Sequence, residues 1–294
     1  MATEMERTEP PLIVIVGPTA SGKTALAVDL AERLSGEVIC ADSRTVYKGI
    51  GIGTAKPSAE EQKRVPHWGL DLVEPNQPFN VYDFKAYATA AIASIRHRGN
   101  IPFLVGGTGL YTDAVLFDYQ FLQTPDTNRR NKLASMTVKE LQEYCIKNNI
   151  DLPENSSNKR HLIHTIERKG HTLQRRTMPI ENSIVVGIAT EKAVLVERIA
   201  QRSEHLFSQS LVDEAKKVGE KYGWEHEALT GNVYPLLKLY LENEENLSDV
   251  KQKFIYSDKK LAKRQLTWFR RNPYIMWLTL DEVESYIERM LMGE

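Results

Sequence analysis

Residues 15–26 read IVGPTASGKTAL, and this stretch decides which fold the chain can adopt. Positions 17–24 match G-x-x-x-x-G-K-[ST], with a short β-branched run before them and apolar residues at helical spacing after them. A strand, a glycine loop and a helix in that order form a P-loop, in which backbone N–H groups and the helix N-terminus bind phosphate. The expected diphosphate-binding residues are Gly17, Pro18, Thr19, Ala20, Ser21, Gly22, Lys23 and Thr24.

Two side chains of this loop have predicted roles of their own. Lys23 supplies a positive charge for the terminal phosphate, and the Thr24 hydroxyl is a candidate ligand for Mg²⁺. The loop indicates a diphosphate group without requiring a nucleotide. The strand at residues 101–105 runs into GGT, where a nucleotide-hydrolysing P-loop protein usually has an acidic magnesium ligand. A diphosphate that departs as a leaving group is compatible with both loops.

The rest of the chain extends the same pattern of strands and helices. Apolar runs at residues 12–16, 37–41, 101–105 and 184–189 predict buried strands, and residues 276–280 predict a late or edge strand. Helices are predicted at residues 24–34, closed by Gly36, at residues 81–98 and at about 191–202, and residues 211–269 read as wholly helical. This alternation predicts an α/β fold, a P-loop parallel sheet flanked by helices.

One stretch of different composition predicts a second domain. Residues 122–180 are polar and charged, with helical patterns at 138–148 and 159–169. We interpret them as a small helical insertion domain. Residues 1–121 and 181–294 would then form the P-loop core domain with a helical C-terminal part.

Composition narrows the functional classes. The chain has 294 residues and a net charge of −1, which argues against a uniformly basic nucleic-acid coat. Cys40 and Cys145 lie far apart without metal-type spacing, so neither a disulfide framework nor a zinc site is indicated. The first ten residues lack the apolar core of a signal peptide, and no run approaches the ~18 apolar residues of a membrane span. These features predict a cytoplasmic protein.

A second motif follows the second predicted strand. Residues 39–57, ICADSRTVYKGIGIGTAKP, place Asp42 just beyond the carboxyl end of that strand, at the sheet edge where α/β proteins bind ligands. Asp42 is therefore a candidate to accept a proton from a nucleophile, although a turn or helix cap explains the same residue equally well. Lys56 is close in sequence to this loop, although a solvated surface position explains that lysine better, and Thr108 adds a hydroxyl at the third predicted strand.

Five ordered blocks, GPTASGKT, ADSRTVYKGIGIGTAKP, VPHWGLDLVEP, PFLVGGTGLY and LAKRQLTWFR, resemble the tRNA dimethylallyltransferase family. The resemblance runs from about residue 12 to residue 271. It implies transfer of a dimethylallyl group from dimethylallyl diphosphate to N6 of the adenosine 3′ of the anticodon, in tRNAs that read codons beginning with U. It implies Mg²⁺, the tRNA anticodon stem-loop as partner, and catalytic roles for Asp42 as general base, Thr108 and Lys23. We expect a monomer.

The resemblance also implies an RNA-facing surface, and it implies that the helical insertion domain at residues 122–180 contacts tRNA. The residues carried over to tRNA binding are Asp42, Ser43, Arg44, Thr45, Thr108, Arg130, Arg160, Lys263, Arg264 and Gln265. Residues 158–178 and 251–271 form two basic segments, and the second contains a single acid, Asp258. For Trp268 in that segment, packing inside the protein is favoured over stacking on an RNA base.

Two departures from the family pattern and two alternative functions remain open. The family has an arginine where this chain has Pro235, and Lys56, Lys238 and Arg270 are candidate replacements. His161 and His164 occupy positions where the family has arginines, and a phosphate contact or an ordinary surface position explains them better than a metal site.

The alternatives to prenyl transfer are a P-loop small-molecule or nucleoside kinase, and a non-catalytic RNA-binding module.

Overall fold

The computed structural model describes residues 9–121, 127–169, 174–231 and 233–293, and of residues 127, 128 and 131 only the backbone. Residues 1–8, the predicted domain boundary at 122, and positions 170–173 of the first basic segment lie outside this part. No helix within it is both long enough and apolar enough to span a bilayer. The chain divides into two compact units, Met1–Phe117 with Met178–Glu294, and Asp118–Thr177.

The larger unit contains a six-stranded sheet in which every pairing is parallel. Its strands are β1 (Leu12–Val16), β2 (Gly36–Cys40), β3 (His67–Trp68), β4 (Ile101–Gly106), β5 (Ser183–Ile188) and β6 (Met276–Leu278). Their spatial order is β3-β2-β4-β1-β5-β6, so Val14 pairs with Leu104 on one side and with Val185 on the other. The predicted α/β fold is confirmed, and the edge strand predicted at residues 276–280 is present but shorter, at Met276–Leu278.

Twelve α-helices occur in the described residues. They are α1 (Lys23–Arg33), α2 (Ala59–Arg64), α3 (Val81–His97), α4 (Gly109–Leu116), α5 (Thr127–Ser135), α6 (Val138–Lys147), α7 (Lys159–Glu167), α8 (Lys192–Leu206), α9 (Gln209–Tyr222), α10 (Tyr234–Leu241), α11 (Leu247–Phe269) and α12 (Leu280–Met292). A 3₁₀ turn occupies Glu227–Thr230.

Helices cover both faces of the sheet, which explains why β1 is an unbroken apolar run. On one face, Ile13 and Ile15 join a core with α1 and α12. The opposite face of β2 and β4 carries α3, which a capping box of Asn80 and Asp83 begins and Gly99, at φ +78°, follows. Burial on both faces makes the central strands a rigid base for the loops that leave them.

Strand order determines which loops meet. The neighbouring strands β2, β4 and β1 all point the same way, so the loops at their carboxyl ends adjoin at one edge. These loops begin at Ala41, at Gly107 and at Gly17, respectively. The smaller unit has a separate core formed by α5, α6 and α7 around Leu141, Leu162 and Ile166, each fully buried.

The structure corrects two details of the predicted secondary structure. Gly36 does not close α1, because Ser35 takes the left-handed conformation (φ 52°) and Gly36 begins β2. A Cβ at Gly36 would lie 2.4 Å from the Phe103 ring, so close strand packing is what requires glycine there. Residues 211–269 are not one helical run, since Gly223 (φ 81°) ends α9 and Asn243 (φ 57°) follows α10.

Glu37 on β2 yields a stability prediction. The residue is 3% exposed, and its carboxylate accepts hydrogen bonds from Trp68 Nε1 (2.7 Å), Asn100 Nδ2 (2.8 Å) and Arg98 Nη2 (2.8 Å). Burial raises its pKa, but the bonds from Asn100, Arg98 and Trp68 outweigh burial and leave the pKa below its ordinary value. Glu37→Ala is expected to reduce the free energy of unfolding by about 2–3 kcal/mol, because it removes the buried acceptor that three side-chain donors share.

The pH dependence of unfolding separates the charge from the hydrogen bonds. A carboxyl whose pKa is lowered by folding stabilises the protein above its unfolded-state pKa, and that stabilisation is lost as pH falls through the folded-state pKa. Glu37→Gln keeps an acceptor for Trp68 or Asn100 but cannot titrate, so urea unfolding should show less loss of its stability at acid pH than in the wild type. Equal losses in both proteins would contradict this assignment.

Candidate active site

The P-loop lies where β1 ends and α1 begins. Gly22 precedes α1 at φ 89°, and Ala20 also has a left-handed backbone at φ 62°. A Cβ on Gly17 would lie 2.9 Å from the Ser21 hydroxyl, which is fully buried. These constraints hold residues 17–24 in the curled path that turns backbone N–H groups toward a phosphate. Residues 19–25 line a cavity of about 690 Å³.

Lys23 lies in the wall of this cavity beside charges of both signs. Its ammonium donates to the Pro18 carbonyl at 3.2 Å. Burial lowers the pKa of Lys23 to about 8, Asp42 acts to raise it, Arg202 to lower it and Asp258 to raise it. A partly desolvated ammonium interacts strongly with an anion, so this residue is suited to binding phosphate.

Asp42 and Thr108 lie in the same cavity, on the loops after β2 and β4. The Asp42 carboxylate accepts the Arg44 N–H at 2.8 Å, and Thr108 Oγ1 accepts the Ser43 N–H at 3.1 Å. The Thr108 N–H in turn donates to the Ala41 carbonyl at 3.2 Å. Thr108 therefore fixes the loop that carries Asp42, and both remain exposed to the cavity.

Close approach of these two loops requires Gly106. A Cβ there would lie 2.0 Å from the Ala41 carbonyl oxygen, so any side chain would push Asp42 away from the P-loop. Burial and the charge of Asp42 raise the pKa of the neighbouring Cys40 thiol to about 12. The thiol therefore stays protonated and forms a neutral part of the wall.

The remaining residues of the second motif have distinct positions. The Arg44 guanidinium donates to the Glu227 carbonyl and to Thr230 Oγ1, which ties the Asp42 loop to the 3₁₀ turn. Thr45 is buried, with its hydroxyl donating to the Asp42 carbonyl at 3.3 Å. Ser43 is half-buried and also lines the cavity.

The GIGTAKP segment is held against the cavity from one side. Glu214 accepts the N–H groups of Ile52 (2.8 Å) and Gly53 (2.9 Å) and the hydroxyl of Tyr234 (2.7 Å). Lys56 turns the other way, toward the Tyr47 carbonyl and Asp71.

The three cations that the sequence offered as replacements for the missing arginine are not in the cavity wall. Lys56 pairs with Asp71, and Lys238 lies 3.9 Å from Glu242, its neighbour on α10. Neither these two nor Arg270 lines the cavity, and Pro235 is exposed and lies outside the wall.

Helix α11 brings the LAKRQLTWFR block, residues 261–270, to the cavity. Gln265 accepts the Thr19 N–H at 2.7 Å and donates to the Gly107 carbonyl at 3.1 Å, so one side chain joins the P-loop to the β4 loop. Arg264 is exposed and lines the cavity, whereas Lys263 is exposed but is not part of the cavity wall. Trp268 packs over Gly109 and donates to Asp113 at 2.7 Å, as expected for a packing residue.

The sequence analysis did not identify a charged pair in the cavity wall, Arg202 and Asp258. Arg202 on α8 donates to the Thr19 hydroxyl and lies 3.4 Å from the carboxylate of Asp258 on α11. Asp258 is 3% exposed. A signal was present, because Asp258 is the single acid of the basic segment 251–271 and Arg198 and Arg202 share one face of a helix.

Arg130 and Arg160 belong to the smaller unit, on α5 and α7. Arg130 lies 3.8 Å from Glu167, whose side chain is 9% exposed, and His164 lies 3.5 Å from the same carboxylate. Burial, with the nearby Arg130, Arg168 and Arg160, lowers the pKa of His164 to about 4. His164 is therefore neutral at physiological pH.

The residues present fit a magnesium ion that arrives with its phosphate ligand. In the part of the chain that the structure describes, no group of three His, Cys, Asp or Glu side chains could hold a metal ion. Mg²⁺ commonly takes few protein ligands and completes its shell with phosphate oxygens and water. The Thr24 hydroxyl, in the cavity wall beside Lys23, is suited to that arrangement.

Comparisons with known proteins point to one family. The model of the IPP transferase family matches residues 45–272, and that of the isopentenyl transferase family matches residues 10–68. A tRNA dimethylallyltransferase from Bacillus licheniformis is 35% identical, over 94% of this chain and 93% of its own. The tRNA dimethylallyltransferase 1 of Geotalea uraniireducens is 38% identical, over 92% and 93%.

Solved structures agree. The tRNA isopentenylpyrophosphate transferase of Bacillus halodurans superposes with a TM-score of 0.74 at 34% identity, covering 97% of this chain and 96% of that one. Each of these three relatives carries the name of a prenyltransferase, so the P-loop kinase alternative is not favoured.

Proposed function

The chain belongs to the tRNA dimethylallyltransferase family, and we propose that it transfers the dimethylallyl group of dimethylallyl diphosphate to N6 of the adenosine 3′ of the anticodon. The tRNAs concerned would read codons that begin with U. One observation carries this proposal: a single cavity is lined both by residues 19–25 of the P-loop and by Asp42 with Thr108. A diphosphate and an acceptor amine can therefore meet there.

The donor's diphosphate would bind to the N–H groups of residues 19–24 and to the Lys23 ammonium. As the allylic C1–O bond breaks, its electron pair leaves with pyrophosphate, and these groups stabilise the added charge. Mg²⁺ held by Thr24 would neutralise further phosphate charge when bound. No hydrolytic water has to be activated, because the acceptor amine is the nucleophile.

Asp42 would act on the acceptor. The N6 amine attacks C1, an N–C bond forms, and the amine loses a proton that the Asp42 carboxylate accepts. Asp42 is half-buried and opens into the cavity, with one oxygen bonded to the Arg44 N–H. An adenine in a stacked loop cannot reach this position, so the base would be flipped out, at a cost of a few kcal/mol.

The tRNA would bind along the basic segments. We propose that exposed Lys263 and Arg264 on α11 contact phosphates near the target base, and that Arg130 and Arg160 of the helical insertion contact the anticodon stem. The loop from Asp42 to Thr45 would contact the nucleotides beside the target. We propose a cytoplasmic enzyme that acts as a monomer.

A labelling experiment tests the function. Incubation with unmodified tRNA, Mg²⁺ and labelled dimethylallyl diphosphate should place label in the tRNA, and digestion should recover it as N6-dimethylallyladenosine. A matched tRNA with guanosine at the target, which lacks the N6 amine, should stay unlabelled. Absence of label together with phosphate transfer from ATP to a small acceptor would support a kinase instead. tRNA binding without product would support a non-catalytic RNA-binding module.

The pKa of Lys23 predicts how pH affects pyrophosphate binding. Lys23 binds phosphate as the ammonium ion, and burial lowers its pKa to about 8 in the free protein. Affinity should be insensitive to this group below that pKa and fall about tenfold per pH unit above it. Calorimetry from pH 7 upward with Lys23→Arg as control, which stays charged throughout, isolates the step. An identical pH profile in both proteins would rule out this role.

A further inference from the structure

Arg202 combines two properties that the other arginines in or near the cavity wall do not share. It contacts the P-loop, at the Thr19 hydroxyl, and it lines the cavity. Arg44 is bound to the 3₁₀ turn, and Arg264 is exposed on α11. Arg198, one turn before Arg202, reaches the P-loop at the Ser21 carbonyl (3.2 Å) but is not part of the cavity wall.

The guanidinium of Arg202 retains unused donors. Both of its contacts in the described part of the chain, with Thr19 and with Asp258, are made by Nη1. Its Nε and Nη2 groups have no partner among the described residues. These two nitrogens form the planar fork that binds two oxygens of a phosphate at once.

Asp258 accounts for the position of Arg202. A buried carboxylate is costly unless it is paired, and the side chain of Asp258 is only 4% exposed at 3.4 Å from Arg202. The pair joins α8 to α11 directly beside Thr19. Asp258 therefore holds the guanidinium at the P-loop without occupying its free edge.

We propose that Arg202 is a donor-binding residue, which grips the diphosphate of the prenyl donor through Nε and Nη2, and that Asp258 is its positioning residue. This inference rests on the proposed function, since the ligand is the donor's diphosphate. As pyrophosphate departs, a fixed guanidinium beside Thr19 stabilises its growing charge together with Lys23. An arginine at position 235 is then not needed for this purpose.

Pyrophosphate binding with Mg²⁺, measured by calorimetry on the full chain, tests the inference. Arg202→Gln should raise the dissociation constant about 30-fold or more, because it removes one member of a desolvated charge pair. Arg202→Lys keeps the charge but loses the fork, and should fall between. Lys192→Ala removes one charge from the exposed start of the same helix and should bind like the wild type. Thermal unfolding checks that each variant is folded.

The two Michaelis constants distinguish binding from a merely structural role. The Michaelis constant for the donor should rise in Arg202→Gln and, by a smaller factor, in Asp258→Asn, while that for tRNA stays unchanged in both. Equal effects on the two Michaelis constants would overturn the inference.

The outcomes separate this inference from the proposed function. Prenyl transfer by the wild type, with Arg202→Gln and Lys192→Ala equal in pyrophosphate affinity, would overturn the role of Arg202 and leave the function intact. A wild type that binds pyrophosphate but transfers no label would overturn the function. Arg202 would in that case still be identified as a diphosphate ligand if Arg202→Gln lost binding.

Discussion

Asp42→Ala is expected to lower the rate of prenyl transfer at saturating substrate by about 10²–10⁴-fold, the usual contribution of a general base. Binding of tRNA should persist, because the basic segments that carry the proposed phosphate contacts are unchanged. Single-turnover transfer of labelled dimethylallyl groups measures the first quantity, and filter binding of the same tRNA measures the second.

Asn is the matched control at this position. Its amide oxygen can still accept the Arg44 N–H, a bond of 2.8 Å in the wild type, so the loop should keep its shape. If the carboxylate removes the N6 proton, Asp42→Asn and Asp42→Ala lose similar activity. If Asp42 only orders the loop, Asn restores the rate, and near-normal transfer by that variant would eliminate Asp42 as the base.

Lys23→Ala is expected to impair both donor binding and chemistry. The ammonium lies in the cavity wall and contacts both the ground-state diphosphate and the departing pyrophosphate in this account. Loss of one such charge should reduce kcat/KM for the donor by about 10²–10³-fold, with a higher KM and a lower kcat.

The acceptor side provides the internal control for Lys23. The Michaelis constant for tRNA should stay close to its wild-type value, since the proposed tRNA contacts lie on other residues. Lys23→Arg should recover part of the donor affinity. A donor KM unchanged in Lys23→Ala would contradict the assignment of the P-loop to the diphosphate.

Local motifs made much of this fold predictable. A β-branched run before GPTASGKT and a helical pattern after it predict a strand, a phosphate-binding loop and a helix. The structure has this P-loop between β1 and α1. The position of Asp42 followed from a general rule, that ligands bind at the carboxyl ends of parallel strands. Its approach to the P-loop depends on strand order, which places β4 between β1 and β2.

Tertiary contacts were harder to predict. Gly36 follows the predicted helix at residues 24–34, at the place where a glycine often ends a helix. In the structure, the Phe103 ring is what leaves no room for a side chain at this position. Arg202 and Asp258 lie 56 positions apart on two helices, and although Asp258 stands out as the single acid of its segment, nothing local indicates that Arg202 is its partner. Only the packing of α8 against α11 brings them together at Thr19.

The most direct test is a crystal structure of the protein with a non-ionising sulfur analogue of dimethylallyl diphosphate and an anticodon hairpin. We predict diphosphate oxygens on the N–H groups of residues 19–24 and a flipped adenine whose N6 lies about 3 Å from the Asp42 carboxylate. A diphosphate outside the P-loop, or an Asp42 carboxylate facing away from the adenine, would contradict the account.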